Sequence, residues 1–282
     1  MAHDISENEK DVLDVTFQVL DKGHIRLVDY NGTDKRIVQS ARVSYGEGTK
    51  TVREDKGLID YLLRNGHYSP FEMVNFTFHI KAPILTMRQL IRHRTAHVNE
   101  ISGRYSVLKD EFYLPNRNRL AKQSRDNKQG SGELYSPSES ERLINAMEIE
   151  QKDSYTSYKA YLRNDMAKEL ARINLPLSTY TEWYWSIDLR NLMNFLKLRM
   201  DTHAQYEIRA YAEVMYDIVN KICPYTMESF KNHILNGRSF SEKEIQALRI
   251  LIDSLDYTKV DNILSNKEYQ EFYKKLGYEG IL

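Results

Sequence analysis

The apolar positions of this chain change period several times, and each change predicts an element. Over residues 14–30 polar and apolar side chains alternate on both sides of Lys22-Gly23, the pattern of two strands joined by a tight turn. From Lys35 to Ser44 and from Gly57 to Arg64 the spacing is helical, and each stretch ends near a glycine able to take a left-handed cap conformation. The strictest pattern runs from Val74 to Lys81. There Val74, Phe76, Phe78 and Ile80 alternate with Asn75, Thr77, His79 and Lys81, which predicts a strand with one buried and one wetter face. Pro83 follows and suits the first turn of a helix, where its missing N–H costs nothing. Ile84, Met87 and Ile91 then share one face, with Arg88, Gln89, Arg92 and His93 elsewhere.

Residues 116–139 are polar, contain Gly-Ser-Gly and lack apolar periodicity, so they read as a long inserted loop of the kind that forms lids. Helical spacing dominates from Glu139 to Lys221, broken at Leu175-Pro176-Leu177 and by an aromatic run, Tyr180 to Trp185, that reads as a short strand. The residues after Cys223-Pro224 also look helical and lead to a charged, tyrosine-rich tail. No repeat, heptad run or clean linker divides the chain. The expectation is one α+β unit over residues 14–230, within a domain 1–230, with a helical C-terminal extension over 231–282.

Composition narrows the function. Lys plus Arg and Asp plus Glu both number 40, so no net field draws the protein to nucleic acid or to a membrane surface. Any anion site must be a local concentration of cations. The first residues are acidic and polar without an apolar h-region, and no run of 18 apolar residues occurs, so neither export nor membrane spanning is expected. The single cysteine, Cys223, can form no intramolecular disulfide and no cysteine-rich zinc site, which suits a reducing, cytoplasmic setting.

Two clusters carry candidate chemistry. Arg92-His93-Arg94 is followed by Asn99, Glu100, Ser102, Gly103, Arg104 and Tyr105, a dense gathering of guanidiniums with an imidazole, a carboxylate and a hydroxyl. Guanidinium grips phosphate or a uracil carbonyl bidentately, and Gly103 lets backbone N–H groups come close to an anion. The plainer alternative is that Arg92 and Arg94 merely complement the end of a helix dipole. The second cluster lies on a helix read from Asp188 to Glu207, with Arg190 and Asn194 four apart and Arg199, His203 and Glu207 on one stripe. Its plainer alternative is a solvated face with helix-internal ion pairs. A third feature, His67-Tyr68-Ser69-Pro70-Phe71-Glu72, is a turn whose Ser69 and Glu72 could be ligands or caps. His93 and His97 are spaced as in helical zinc sites, yet Arg94 stands where a metalloprotease needs its glutamate, so no metal is expected. Neither G-x-G-x-x-G nor a P-loop motif occurs, so any nucleotide must be held by side chains and helix ends.

The run RHRTAHVNEISGRYS, Arg92 to Ser106, resembles the R-H-R-x7-S signature of the flavin-dependent thymidylate synthases and places its serine at Ser102. The resemblance continues in ARVSYG (41–46), HYSPFE (67–72), FTFHIKAPILTMRQLIRHR, ELARINLPLSTYTEWYW and LRNLMNFLKLRMDTHAQYEIR, covering about residues 14–230. One departure lies inside the signature, where His97 occupies a position that is serine in many members. The last fifty or so residues have no counterpart in the shared core.

This resemblance implies the family's fold, an antiparallel sheet packed with several helices, and its reaction. That reaction converts dUMP to dTMP with a methylene from methylenetetrahydrofolate and a hydride from FAD reduced by NADPH. It implies a uracil-nucleotide site at Gln89, Arg92, Glu100, Ser102, Gly103, Arg104, Arg172 and Arg199, with Ser102 to Arg104 and Arg172 on the phosphate. It implies FAD contacts from Ser44, Ser69, Arg92, His93, Arg94, Glu100, Asp188, Arg190, Asn194 and His203, drawn from different subunits of a homotetramer. Carbon 5 of uracil becomes nucleophilic only as negative charge develops on the ring, and a fixed cation beside the ring oxygens and nitrogen 3 stabilises that charge; Arg199 is the candidate. Ser102 lacks a base among its arginine neighbours and is assigned to substrate binding and positioning rather than attack. Cys223, outside both clusters, is expected to be structural rather than a ring-attacking thiol. The competing readings are a nucleic-acid module, which predicts salt-dependent binding without a yellow cofactor, and a metal hydrolase using His67, His93, His97 and His203, which lacks carboxylate partners.

Overall fold

The computed structural model describes residues 10–43, 55–125 and 130–252, together with Phe272. Ser44 and Gly46 lie outside the described residues. The chain divides into two compact units, Met1–Leu235 and Asn236–Leu282.

The first unit is built on a five-stranded antiparallel sheet whose strands lie side by side in the order 16–19, 23–31, 75–83, 180–188 and 97–100, or β1-β2-β3-β7-β4. Strands β1 (Thr16–Val19) and β2 (Gly23–Asn31) form the expected hairpin, pairing Val19 with Gly23. The positive φ of its turn belongs to Leu20, at 61°. Gly23 serves a different need, because a Cβ there would stand 1.9 Å from the Tyr211 hydroxyl, which donates to the Lys81 carbonyl at 2.7 Å. Glycine is therefore required for close approach and not for turn geometry.

Strand β3 (Asn75–Pro83) pairs with β2 on one side and, over all nine residues, with β7 (Tyr180–Asp188) on the other. The alternation holds as read: Val74, Phe76, Phe78 and Ile80 are fully buried. Trp183, Trp185 and Ile187 alternate in the same way along β7. Each such side chain removed from water contributes roughly 1.5–3 kcal/mol, so this aromatic layer fixes the register. Lys81, expected on the wetter face, is instead buried, with its ammonium 2.8 Å from the Glu111 carboxylate and near the Tyr180 ring. The other face carries His24, His79 and Tyr184, the last two stacked at 5.0 Å.

Helices α1 (Asp34–Val43) and α2 (Asp55–Arg64) form where helical spacing predicts them, burying Ile37, Val38 and Ala41 and Leu58, Ile59, Leu62 and Leu63. Past α2 the chain turns through Gly66 at φ 72°. Pro83 ends β3 and caps helix α3 (Ile84–Leu90), one position earlier than expected. The helix is short and buries Thr86, Met87 and Leu90, while Ile91 lies past its end and is exposed, so the Ile84–Met87–Ile91 face does not form. Strand β4 (His97–Glu100) follows and pairs with β7 at the sheet edge.

The segment 116–139 is not one structureless loop. It holds a one-turn helix at Arg117–Arg119, a small hairpin of β5 (Ala121–Gln123) and β6 (Ser131–Leu134), and the start of helix α4 (Pro137–Arg163). That start is a capping box: the Glu139 N–H donates to the Ser136 hydroxyl, and the Ser136 N–H to the Glu139 carboxylate, both at 3.3 Å. Helix α5 (Lys168–Ala171) leads into a turn at Arg172–Asn174. The predicted continuous helix from Asp188 to Glu207 is two helices, α6 (Leu189–Arg199) and α7 (Tyr206–Ile222). Asp188 caps α6, accepting from the Asn191 N–H at 2.9 Å. The break comes where the Asp201 carboxylate accepts from the His203 N–H at 2.8 Å, a local alternative to the helical ladder.

Helix α8 (Pro224–Phe230) begins at buried Cys223, and its open N-terminus is satisfied from a distance. Asp34 accepts from the Tyr225 N–H at 2.8 Å, the Thr226 N–H at 3.1 Å and the Thr226 hydroxyl at 2.6 Å. Burial pushes the Asp34 carboxyl above the usual carboxylate range. In the second unit, α9 (Glu242–Ile252) opens on another reciprocal cap, between Ser241 and Glu244. Among the described residues no helix is long and apolar enough to cross a membrane. Replacing Asp34 by Ala strands the buried N–H groups of α8, and urea unfolding should show a loss of about 1–3 kcal/mol.

Candidate active site

The predicted site residues that are described, His203 apart, fall into three neighbourhoods, each delivered by a particular element end. The first lies where the C-termini of α3 and α6 meet. Arg199, the last residue of α6, donates from Nε to His93 Nε2 at 3.1 Å and from Nη2 to the Gln89 carbonyl at 3.4 Å. A cation thus sits at the negative ends of two helices. His93 also meets the Phe195 ring edge-on at 4.9 Å. Burial, and then the Arg199 charge, lower the His93 pKa to about 4. The neutral ring is therefore the acceptor that Arg199 requires, and burial also lowers the Arg199 pKa. Arg92 lies one residue before His93 and is exposed.

The second neighbourhood is the turn after β4. Glu100 accepts from the Thr181 hydroxyl at 2.6 Å, which fixes its carboxylate against β7. The Ser102 hydroxyl accepts from the Arg104 N–H at 3.3 Å, and the Ser102 carbonyl accepts from the N–H groups of Tyr105 and Ser106. Gly103 is buried because the Arg172 side chain lies over it; a Cβ would come 3.0 Å from Arg172 Cδ and Nη1. The sequence reading gave Gly103 the task of admitting an anion to the backbone, whereas its immediate neighbour is a guanidinium. Arg104 is exposed and reaches Glu169 at 3.1 Å.

The third neighbourhood joins the 67–72 turn to α6. Glu72 pairs with Arg190, whose guanidinium lies 5.5 Å from the centre of the Tyr68 ring. Ser69 is exposed at the start of the one-turn helix Ser69–Met73, and Asn194 is exposed one turn beyond Arg190. Next to them, Arg94, His97, Asn75, Ser186 and Asp188 line a cleft of about 250 Å³.

The stripe of Arg199, His203 and Glu207 does not exist, because the helix breaks between its members. His203 is exposed and bound to Asp201, while Glu207 is buried in the first turn of α7 and accepts from the Tyr113 hydroxyl at 2.9 Å. His203, Gln205, Glu207, Tyr113, Arg119 and Gln151 border a larger cleft of about 950 Å³. Sequence reasoning did not single out Gln205, and it set Glu207 on one helical stripe with Arg199 and His203, or on a solvated face. The signal available was the sharp local turn that Asp201 can make. Among the described residues no group of three or more His, Cys, Asp or Glu side chains is placed to hold a metal ion.

Comparison with known proteins decides the family. A family model described as thymidylate synthase complementing protein matches residues 26–225. The chain is 58% identical over 265 residues to a flavin-dependent thymidylate synthase of Treponema denticola, covering 94% of this chain and 98% of that protein. This chain belongs to the flavin-dependent thymidylate synthase family. A second relative with that name, from Treponema pallidum, is 50% identical, covering 98% of this chain and 89% of that protein. Among solved structures, a UMP/dUMP methylase PolB from Streptomyces cacaoi bound with 5-Br UMP superposes with a TM-score of 0.70 at 32% identity, covering 77% of this chain and 98% of that one. The mixed helix and antiparallel-sheet fold is thus that of the flavin-dependent thymidylate synthases, as the signature implied.

The depressed His93 pKa has a consequence for stability. Between its ordinary value near 6.5 and about 4 the unfolded chain binds a proton that the folded chain refuses. Stability therefore falls as pH drops through this window. Urea unfolding at pH 7 and pH 5 should show the loss, and a His93→Asn variant should show less of it.

Proposed function

We propose that the Arg199 and Ser102–Arg104 neighbourhoods carry out the family reaction in this chain, the reductive methylation of dUMP to dTMP, with catalysis assigned to residues 1–230. The observation that carries the reading is the mounting of Arg199. Neutral His93 and the Gln89 carbonyl take two of its donors and fix the plane of the guanidinium. The remaining N–H groups of the fork then serve the uracil. A fixed, partly desolvated cation stabilises the negative charge that makes carbon 5 nucleophilic.

Phosphate is assigned to Ser102, Gly103, Arg104 and Arg172. The contact between Gly103 and Arg172 supports this, because it keeps a guanidinium beside the turn that carries Ser102 and Arg104. Glu100, Gln89 and Arg92 complete the nucleotide contacts. Ser102 binds and positions the nucleotide, since its hydroxyl is committed to the Arg104 N–H and has no general base among its contacts.

For FAD the donor set suits an anionic dinucleotide: Arg94 and Asp188 line the smaller cleft, His203 borders the larger one, and Arg92, Arg190, Asn194 and Ser69 add exposed cations and polar groups. When bound, FAD supplies the hydride after its reduction by NADPH, and methylenetetrahydrofolate supplies the carbon. Within this set His93 accepts from Arg199, Glu100 is held by Thr181, and Asp188 ties down the start of α6. The exposure of Arg92, Arg94, Arg104, Arg190, Asn194 and His203 in the single chain supports a site completed by neighbouring subunits of a homotetramer. A cytoplasmic setting accords with the lone buried thiol.

The purified protein should show a flavin band that NADPH bleaches under anaerobic conditions, faster when dUMP is present. A colourless protein unable to take up added FAD overturns the reading. Arg199→Ala should lower turnover about a hundredfold or more while flavin stays bound. Cys223→Ala should retain activity, and its loss in a folded variant contradicts the mechanism.

A further inference from the structure

A line of side-chain hydrogen bonds runs from the interior to the Arg199 neighbourhood. The Tyr113 hydroxyl donates to Glu207 Oε1 at 2.9 Å, Gln205 Nε2 donates to Glu207 Oε2 at 2.8 Å, and Gln89 Nε2 donates to Gln205 Oε1 at 2.5 Å. Its inner end is rigid: Glu207 is buried, and the Tyr113 backbone carbonyl accepts from buried Gln151 at 3.0 Å. Its outer end is the side chain of Gln89, the residue whose backbone carbonyl accepts from Arg199.

The direction of the line follows from chemistry. A carboxylate accepts, so Gln205 turns its NH2 group toward Glu207 and its carbonyl oxygen away. That oxygen also accepts, so Gln89 must offer its own NH2 group to it. The carbonyl oxygen of Gln89 is thereby turned away from Gln205 and is the acceptor its amide offers to anything bound beyond. Tyr113 holds the other Glu207 oxygen, and burial with the neighbouring carboxylate raises its phenol pKa, so it stays a donor.

We propose that Glu207, acting through Gln205, locks the Gln89 amide so that it presents an acceptor to the pyrimidine ring and thereby selects uracil over cytosine. The proposal rests on the reading above that Gln89 lies against the nucleotide. The Watson–Crick edge of uracil has one N–H donor, at nitrogen 3, and cytosine has a lone pair there. An acceptor held opposite nitrogen 3 attracts the first ring and repels the second. An unlocked glutamine would serve both rings, because rotation of its amide by half a turn exchanges donor for acceptor. Glu207 and Gln205 are therefore positioning residues, and Gln89 makes the contact.

The test measures dissociation constants of dUMP and of deoxycytidine monophosphate for the flavin-loaded protein and two variants. Glu207→Gln keeps the shape but can face either way, and Gln205→Ala cuts the line at an exposed residue. In both variants dUMP should weaken roughly five- to tenfold, the loss of about one hydrogen bond, while the cytidine nucleotide tightens and the preference narrows. The double variant should be no worse than Gln205→Ala. If Glu207→Gln fails to fold, Gln205→Ala decides alone. An unchanged preference, or parallel weakening of both nucleotides, overturns the proposal. A wild-type protein that loads flavin yet ignores dUMP overturns the functional reading itself, and the inference with it.

Discussion

The pairing of β3 with β7 is the constraint on which the rest of the molecule depends. Nine consecutive residues face one another, Asn75 opposite Asp188 and Pro83 opposite Tyr180, and the buried rows of Phe76, Phe78, Trp183 and Trp185 forbid a slip. Since the strands are antiparallel, the helices that follow them start from opposite ends of the pair. Helix α3 leaves after Pro83 and α6 after Asp188, and their C-termini meet at Gln89, His93 and Arg199. The same strand β7 carries β4 on its outer side and so sets the position of Glu100 and of the turn that follows it. The candidate site is thus a by-product of one register.

Electrostatics then decides what the meeting point can hold. Two helix ends present carbonyl oxygens and a partial negative charge, and a protonated imidazole beside a guanidinium would be repelled. The protein resolves this by keeping one permanent cation, Arg199, and one neutral ring, His93, in a half-buried place. Lysine would supply charge and three donors but no planar fork, so the carbonyl and the imidazole could not fix the direction of the donors that remain.

Much of this was legible in the residues. The alternation from Val74 to Lys81 announced the central strand because burial on one face demands period two, and the density of cations from Arg92 to Arg104 marked the segment whose His93 meets Arg199. The break between α6 and α7 was hidden, because an apolar stripe continues across it while the decisive interaction, Asp201 to the His203 N–H, is polar and local. That error misplaced Glu207, which a continuous helix sets on one stripe with Arg199 and His203 and the real chain buries. The β5–β6 hairpin was hidden for the opposite reason. All four residues of β6 are exposed, so it leaves no hydrophobic trace. Pairings across the fold, such as Asp34 with the start of α8 or Glu72 with Arg190, depend on tertiary placement that no periodicity encodes.

Strand β4 ends the sheet order, and all four of its residues are exposed. It bonds to β7 on one side and turns its other row of backbone groups outward, with Val98 and Ile101 exposed nearby. Such a border is a template for unwanted strand addition, held in check by brevity and by charge. Glu100, the last residue of this strand, puts a carboxylate on that border, the kind of charge that discourages strand addition. A substitution that removes this charge bears on solubility as well as on the site, so the two effects have to be separated by following soluble yield beside activity.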